Sequence, residues 1–183
     1  MSGAPGSGKT TLSRLLATSL NGVAIDHDLL KTFFLDSALP FDQSGRLTYR
    51  LQWVLAADFL RQGHRAVVVD SPCNFAEILD RGAAVAREHG CAYRYVECRV
   101  AVEDVALLDE RIRGRAPLRS QRTGVARPPA DSRVVQGADY DALFRKWIEH
   151  PARPESAIVV DSTRSPEESL AFVLKQIAED SDG

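Results

Sequence analysis

The sequence has few cysteines, no long apolar run and no excess of basic residues. Its three cysteines, Cys73, Cys91 and Cys98, are an odd number and have the spacing of neither a zinc site nor a disulfide framework, so we expect buried, reduced thiols. No segment is apolar over the length that a membrane span needs, and no basic-then-apolar leader is present. A net charge of −2 argues against nonspecific binding of nucleic acid. These absences predict a soluble, cytoplasmic protein that does not bind membranes, either a monomer or a homodimer.

The chain of 183 residues is predicted to form a single domain, residues 1–183. Short apolar runs alternate with helical patterns, which is typical of α/β proteins with a parallel sheet. The predicted strands are residues 23–25, 66–69, 93–98 and 157–160. The predicted helices are residues 9–20, 47–62, 75–89, 102–113, 139–149 and 166–179. There is no internal repeat and no sign of a second core.

Residues 3–10, Gly-Ala-Pro-Gly-Ser-Gly-Lys-Thr, match the phosphate-binding pattern GxxxxGK[ST]. In this pattern backbone N–H groups turn toward the β- and γ-phosphates, the lysine contacts the same phosphates, and the hydroxyl ligates Mg²⁺. The helix that follows adds free N–H groups and the positive end of its dipole. We therefore predict a nucleoside triphosphate site made by Gly3, Gly6, Ser7, Gly8, Lys9, Thr10 and Thr11.

Two acids follow the apolar strand 23–25 directly, with one residue between them. Ligands of open parallel sheets bind at the carboxyl ends of the strands. We assign Asp28 to the hydroxyl of a substrate, whose proton it would accept, and Asp26 to Mg²⁺. The alternative is that one or both acids cap the helix before Leu29. By strand alternation His27 should point away from both acids, so we interpret it as structural.

Two further strands also end in aspartate. Asp70 follows the strand 66–69 and resembles a Walker B carboxylate, which supports Mg²⁺; it and Ser71, together with Asn74, are candidate substrate contacts. Asp161 and Thr163 follow the last strand and could line an adenine pocket, or could serve only as a strand-to-helix connection.

Residues 111–138 are predicted to form a lid, because from residue 114 onward they show little apolar periodicity. Long loops of this kind in compact domains are usually lids or binding loops. Between residues 111 and 133 there are seven arginines and one acid, Asp131. The planar guanidinium suits phosphate, so we predict that Arg115, Arg119 and Arg122 take part in catalysis and that Arg115 also binds nucleotide. The alternative is a solvated surface loop.

In this order, the phosphate loop, Asp28, Asp70, the arginine-rich lid and Asp161 resemble the P-loop kinases of small molecules and 5′-hydroxyls. Members include zeta-toxin kinases, polynucleotide 5′-kinases, chloramphenicol phosphotransferase, and shikimate and gluconate kinases. The resemblance implies a three-layer P-loop NTPase fold with sheet order 2-3-1-4-5, Mg·ATP as donor and a hydroxyl acceptor. It also implies that Asp28 is the general base and that Lys31, three positions later, contacts the substrate.

The first strand of this fold has no counterpart that the sequence reveals, because only Met1 and Ser2 precede the phosphate loop. Without it we expect a gap in the sheet with unpaired backbone groups. Two interpretations remain open: the protein begins upstream of Met1, or the chain is a diminished copy that binds nucleotide poorly.

The function that the sequence favours is transfer of the γ-phosphate of Mg·ATP to the hydroxyl of a small molecule. A polynucleotide 5′-kinase is the alternative enzyme, but the region 33–49 offers only Arg46 to a phosphate backbone. The alternative to an enzyme is a non-catalytic module that binds ATP. A GTPase is disfavoured because no Asn-Lys-x-Asp guanine motif occurs.

Overall fold

The computed structural model describes residues 1–72, 76–133, 137–149 and 153–179. The strands are β1 (Ser2–Gly3), β2 (Val23–Asp26), β3 (Val67–Asp70), β4 (Val96–Arg99) and β5 (Ile158–Asp161). The helices are α1 (Lys9–Ser19), α2 (His27–Asp36), α3 (Phe41–Arg61), α4 (Ala76–Glu88), α5 (Val105–Arg113), α6 (Tyr140–Glu149) and α7 (Pro166–Glu179). A 3₁₀ turn at Val102–Asp104 leads into α5.

All strand pairs are parallel, as the sequence predicted. Strand β2 pairs with β3 in a register that sets Asp26 opposite Asp70. Strand β4 pairs with β1 on one side and with β5 on the other. The Met1 amino group donates to the Val69 carbonyl oxygen at 2.8 Å, which places β1 next to β3. The order across the molecule is therefore β2-β3-β1-β4-β5, and the predicted α/β fold class is confirmed.

The strand expected to be missing is present as two residues. Ser2 lies opposite Glu97 and Gly3 opposite Cys98, and the Ser71 N–H donates to the Met1 carbonyl oxygen at 3.3 Å. Residues 1–3 thus link the two halves of the sheet immediately before the phosphate loop. The expected gap is therefore closed at the edge of the sheet where ligands bind.

Apolar residues cover both faces of this sheet. Helices α1 and α7 pack on β4 and β5, with Leu12, Leu16 and Val173 buried between them. Helices α5 and α6 form a second cluster around Leu108 and Phe144, both fully buried. Within the described ranges, every helix is too short or too polar to cross a membrane.

Helix α2 is the main departure from the predicted elements. The segment 27–36 was not predicted as a helix, and α3 begins at Phe41 rather than at residue 47. Asp26 explains the start of α2, since its side chain accepts the backbone N–H groups of Asp28 and Leu29. The region 33–49 is thus built from two helices, α2 and α3.

Gly22 controls the approach of α1 to the strand pair β2-β3. A Cβ atom at this position would lie 2.2 Å from the Ala66 carbonyl oxygen. We expect Gly22→Ala to lower the free energy of unfolding by about 3 kcal/mol, because backbone must move to relieve the overlap. Gly63→Ala is the matched control: this glycine has φ of 89° but open space around it, so its loss should be about 1 kcal/mol. Urea unfolding measures both, and equal losses would refute the steric explanation.

Candidate active site

The phosphate loop has a backbone conformation that favours glycine at three positions. Gly3, Gly6 and Gly8 have φ values of 135°, 85° and 84°. A Cβ atom would lie 2.2 Å from the Cys98 carbonyl oxygen at Gly3 and 2.8 Å from the Leu108 carbonyl oxygen at Gly6. The loop is therefore packed tightly between β4 and α5.

The loop directs hydrogen-bond donors toward its own centre. The Lys9 Nζ donates to the Ala4 carbonyl oxygen at 2.9 Å, which holds the ammonium across the loop. Gly8 caps α1 without a side-chain hydrogen bond, so no side chain competes for the first N–H groups of the helix. All of the predicted nucleotide contacts of this loop, Gly3, Gly6, Ser7, Gly8, Lys9, Thr10 and Thr11, line one cavity.

Two carboxylates and a hydroxyl form an oxygen-rich corner beside the loop. The Thr10 hydroxyl donates to the Asp70 carboxylate at 2.5 Å. Burial and the nearby Asp70 charge raise the pKa of the Asp26 carboxyl. Among the described residues no group of three or more His, Cys, Asp or Glu side chains is arranged so that it could hold a metal ion. Few protein ligands and close carboxylates suit Mg²⁺, which keeps several waters and binds substrate phosphates, so the predicted set Thr10, Asp26 and Asp70 fits this ion.

Asp26 also has the capping role that the sequence left open. Its Oδ1 accepts N–H groups from Asp28 at 3.0 Å and from Leu29 at 3.2 Å. Its Oδ2 faces the Arg14 guanidinium at 3.5 Å. One oxygen thus starts α2 while the other stays on the side of α1, and both Asp26 and Asp28 line the cavity.

Asp28 lies in the first turn of α2 and contacts the loop that follows α5. We call residues 114–133 the lid loop. The Asp28 carboxylate accepts hydrogen bonds from the Gln121 side-chain amide at 2.9 Å and from the Ser120 hydroxyl at 3.3 Å. Ser120 is bound to Thr32 as well, with its N–H donating to the threonine hydroxyl at 3.2 Å. The lid loop is therefore docked on α2 directly at the predicted general base.

The three predicted lid arginines have three different environments. Arg115 lines the cavity, and its buried Nε has no partner among the described residues. Arg122 also lines the cavity but is buried beside α6. Arg119 does not line it: its guanidinium donates to both Asp131 oxygens at 2.8 Å and to the Leu35 carbonyl oxygen at 2.8 Å. In this structure Arg119 is therefore a clamp between the lid loop and the end of α2, and its position outside the cavity wall does not support the predicted catalytic role.

Ser71 and Asp70 lie beneath the cavity rather than in its wall. Ser71 is 1% exposed and its hydroxyl lies 3.4 Å from His27 Nδ1, while Asp70 is 5% exposed and bound to Thr10. Neither lines the cavity, so this structure does not support them as direct substrate contacts. Asn74 lies outside the described residues. His27 is buried as expected, with Nδ1 3.0 Å from the Gln52 side-chain oxygen.

Lys31, the predicted substrate contact, lies in the cavity wall. Its ammonium lies 3.4 Å from the centre of the Phe41 ring. Burial lowers its pKa, and the Asp28 and Asp42 charges oppose that shift. The side chain is thus a partly buried cation one helical turn from Asp28.

Asp161 and Thr163 form a turn at the end of β5. This is the strand-to-helix connection that the sequence left open as the alternative to an adenine pocket. The Asp161 carboxylate accepts from the Thr163 N–H at 3.0 Å and from the Thr163 hydroxyl at 2.7 Å. Neither residue lines the cavity, whereas Ser162 between them does, and its carbonyl oxygen accepts from Arg111 at 2.8 Å. Arg111 lines the cavity and was not among the predicted site residues, although its place in the arginine-rich segment is a usable signal.

The cavity is large and basic. Its volume is about 1290 Å³, enough for two ligands side by side. Nine basic side chains line it against three acidic ones, Asp26, Asp28 and Glu97, in a chain whose net charge is −2. Two aromatic residues on α6, Tyr140 and Trp147, also line the cavity. Nothing in the sequence distinguished them from core residues.

Comparisons with known proteins agree with this geometry. A family model described as an AAA domain matches residues 1–128. The structure is similar to an APS kinase from Mycobacterium tuberculosis in complex with AMPPNP and APS, at 20% identity and TM-score 0.63, covering 97% of this chain and 94% of that one. It is also similar to a gluconokinase from Sinorhizobium meliloti, at 15% identity and TM-score 0.60, covering 97% and 89%. A sugar kinase from Janibacter is similar at 16% identity and TM-score 0.61, covering 96% and 91%. A search among curated proteins gave no match.

Proposed function

The chain belongs to the AAA domain family, and from this premise we propose that it transfers the γ-phosphate of Mg·ATP to the hydroxyl of a small-molecule acceptor. Its fold is that of P-loop kinases, and the similar structures include an APS kinase, a gluconokinase and a sugar kinase. One observation carries the proposal: a complete phosphate loop lines the same cavity as the carboxylates of Asp26, at the end of β2, and Asp28, in the first turn of α2.

The donor half of the cavity suits a nucleoside triphosphate. The loop N–H groups and Lys9 would hold the β- and γ-phosphates, and Arg111 and Arg115 lie where the lid loop leaves α5. Thr10, Asp70 and Asp26 would hold Mg²⁺, which when bound neutralises charge on the β- and γ-phosphates. Asp161 and Thr163 are proposed to support this half through their turn rather than by direct contact.

The acceptor half lies between α2, α3 and the lid loop. An acceptor hydroxyl would donate its proton to the Asp28 carboxylate as its oxygen forms the new bond to the γ-phosphorus. The bond between that phosphorus and the bridging oxygen breaks, and its electron pair leaves with ADP. The docked lid loop would keep water out of the site, so that the acceptor competes only with a small amount of water for the phosphoryl group.

Gln121 has a positioning role in this scheme. Its amide fixes one oxygen of Asp28, so Gln121→Ala should lower kcat by about tenfold while the Kd for Mg·ATP stays the same. Gln62→Ala is a matched control, because that glutamine is exposed and pairs only with Asp58 at the end of α3. In an Asp28→Asn background the Gln121 substitution should cost little more, since both changes remove the same aligned carboxylate. Additive losses in steady-state assays would mean that Gln121 acts elsewhere.

The proposal is tested by binding first and transfer second. Calorimetric titration of Mg·ATP should show saturable binding that Lys9→Met abolishes. The protein is then incubated with ATP and pools of hydroxyl compounds that include a single-stranded oligonucleotide, and mass spectrometry detects the gain of one phosphate. A phosphorylated small molecule supports the proposal, and a phosphorylated oligonucleotide supports the polynucleotide kinase. Nucleotide binding with no product from any pool would favour the non-catalytic module.

A further inference from the structure

Gly45 lies inside helix α3 at a position where the fold itself does not require glycine. It is the fifth residue of the helix and is not among the residues with positive φ. Apart from its sequence neighbours and the backbone of its own helix, a Cβ atom there would have only the end of Lys31 within 4 Å in the described part of the chain. Its distances would be 3.7 Å to Nζ and 3.8 Å to Cε, which are ordinary contacts. Neither backbone conformation nor close packing therefore explains this glycine.

A glycine in the interior of a helix weakens that helix, because it loses more conformational freedom on folding than alanine does. Gly82, in α4, has a packing reason for being glycine. A Cβ atom at Gly82 would lie 2.9 Å from the Trp53 ring and 2.9 Å from the Tyr93 ring. Gly45 has no such neighbours, so the open space beside it needs another explanation.

The space beside Gly45 opens into the cavity of the candidate active site. Phe41, Gly45 and Tyr49 follow one another at intervals of four residues on α3, and all three line the cavity. Residues four apart lie on one face of a helix, so the glycine leaves a gap between two aromatic side chains. We call this gap, bounded by Phe41, Gly45 and Tyr49, the α3 notch.

The α3 notch has fixed walls and lies on the acceptor side of the cavity. The Tyr49 hydroxyl donates to the Pro72 carbonyl oxygen at 2.7 Å, which holds one wall in place. At the other wall the Lys31 ammonium lies 3.4 Å from the centre of the Phe41 ring. Burial lowers the pKa of Lys31 and the Asp28 charge opposes that shift, so the lysine is within electrostatic reach of the proposed general base. Lys31 thus connects the notch to Asp28.

We infer that the α3 notch receives part of the acceptor and that Gly45 sets how large an acceptor the site takes. Any larger residue at this position would place its side chain in the gap between the two rings, whereas glycine leaves the gap open. The rings of Phe41 and Tyr49 offer apolar surface to the carbon skeleton of a hydroxyl compound. This inference rests on the proposed kinase function and adds a specificity-determining residue to its acceptor side.

Replacement of Gly45 should make the protein more stable even though it impairs the site. Gly45→Ala should raise the Tm by about 2 °C, because alanine favours the helix and its Cβ atom has room. Gly82→Ala is the matched contrast, since the same change should lower the Tm by forcing the Trp53 and Tyr93 rings to move. A lower Tm for Gly45→Ala would show that packing requires this glycine, and the inference would lose its basis.

Acceptor binding is tested with protein loaded with Mg·AMPPNP and with linear polyols of increasing length, from ethylene glycol through glycerol to glucitol. These probes are uncharged and carry the same functional groups, so their affinities report the room in the site. Saturation-transfer NMR titrations give each Kd for wild type and for Gly45→Leu. Gln43→Leu is the matched control, because Gln43 is exposed on α3 and lies outside the cavity wall.

Wild type should bind glucitol and glycerol saturably at millimolar concentration. Gly45→Leu should weaken glucitol binding by about tenfold or more and glycerol binding by less than about threefold, because a filled pocket discriminates by size. Gln43→Leu should change neither affinity. The Kd for Mg·AMPPNP should be the same in all three proteins, since the proposed nucleotide contacts lie on the phosphate loop and near α5.

The outcomes separate the two proposals. If AMPPNP does not bind to the folded wild-type protein, the kinase proposal itself fails, together with this inference. If AMPPNP binds but wild type binds no polyol, or Gly45→Leu binds glucitol as tightly as wild type, only the role of Gly45 is refuted. Equal losses for glycerol and glucitol would also overturn it. A loss that disappears in a Lys31→Met background would show that Gly45 only makes room for Lys31, which contradicts the inference as well.

Discussion

Asp28→Asn should lower kcat for phosphate transfer by about 10²–10⁴-fold, the range that a positioned general base contributes. Asparagine has nearly the same shape, although its single side-chain oxygen can accept only one of the two bonds that the Asp28 oxygens accept from Gln121 and Ser120. It cannot accept the acceptor's proton, so the loss falls on the chemical step. The Kd for Mg·ATP should stay within about twofold, because Asp28 lies on α2 and is proposed to contact the acceptor rather than the nucleotide. Steady-state kinetics and calorimetry on the same preparation measure the two quantities.

Asp104→Asn is the matched control for this prediction. Asp104 is exposed and precedes α5 without a side-chain capping bond, so its substitution should leave both constants unchanged. If Asp28→Asn retains more than about a tenth of the wild-type kcat, another group accepts the proton, since loss of a general base lowers kcat by about 10²–10⁴-fold.

Lys9→Met should raise the Kd for Mg·ATP by about 10²-fold or more. Removing one member of a desolvated charge pair costs about 2–5 kcal/mol, and each 1.4 kcal/mol is about tenfold in affinity. Methionine has a similar length and apolar body, so the fold should survive. The unfolding transition in urea should be unchanged within about 1 kcal/mol, because Lys9 bonds only to the Ala4 carbonyl oxygen in this loop.

Lys175→Met tests whether the loss of Mg·ATP affinity is specific to the phosphate loop. Lys175 is exposed on α7 and pairs with Glu179, and its substitution should leave nucleotide affinity unaltered. Unchanged affinity in Lys9→Met would mean that nucleotide does not occupy the phosphate loop, and the assignment of the donor half would be wrong.

The parts of the fold that the sequence predicted are those with strong local signals. The strands ending in Asp26, Asp70 and Asp161 are apolar β-branched runs, and each observed strand lies within three residues of its predicted start. Pro166 and the acids after it mark the start of α7 at the observed residue. Two-residue strand β1 could not be predicted, because it is defined only by its bonds to β3 and β4.

Helix α2 was not predicted, although its sequence carries two helical signals. Leu29 and Leu30 recur four residues later as Phe33 and Phe34, which is helical spacing. Asp26 is a good N-cap residue directly before the segment. The apolar pattern does not mark the buried face, because Leu29 and Phe33 are 56% and 65% exposed while His27 and Leu35 are buried.

Arg119 shows what sequence reasoning about the site could not reach. Its partners are Asp131 and Asp36, the second of which lies 83 residues away in the chain. Composition alone counts Arg119 with Arg115 and Arg122 as one cationic lid. The structure shows three different environments: Arg119 is a clamp between the lid loop and α2, Arg115 lines the cavity, and Arg122 is a buried cation. Side-chain partners over such distances depend on the tertiary structure, which a single sequence does not encode in any local pattern.

The destination of the γ-phosphorus atom of ATP can be followed directly by ³¹P NMR of the protein with Mg·ATP and an accepted hydroxyl compound. We expect a new phosphate monoester resonance that grows in step with ADP, is absent with Lys9→Met and grows much more slowly with Asp28→Asn. Inorganic phosphate as the only product, or ester formation at the wild-type rate in Asp28→Asn, would contradict phosphoryl transfer to a hydroxyl with Asp28 as the base.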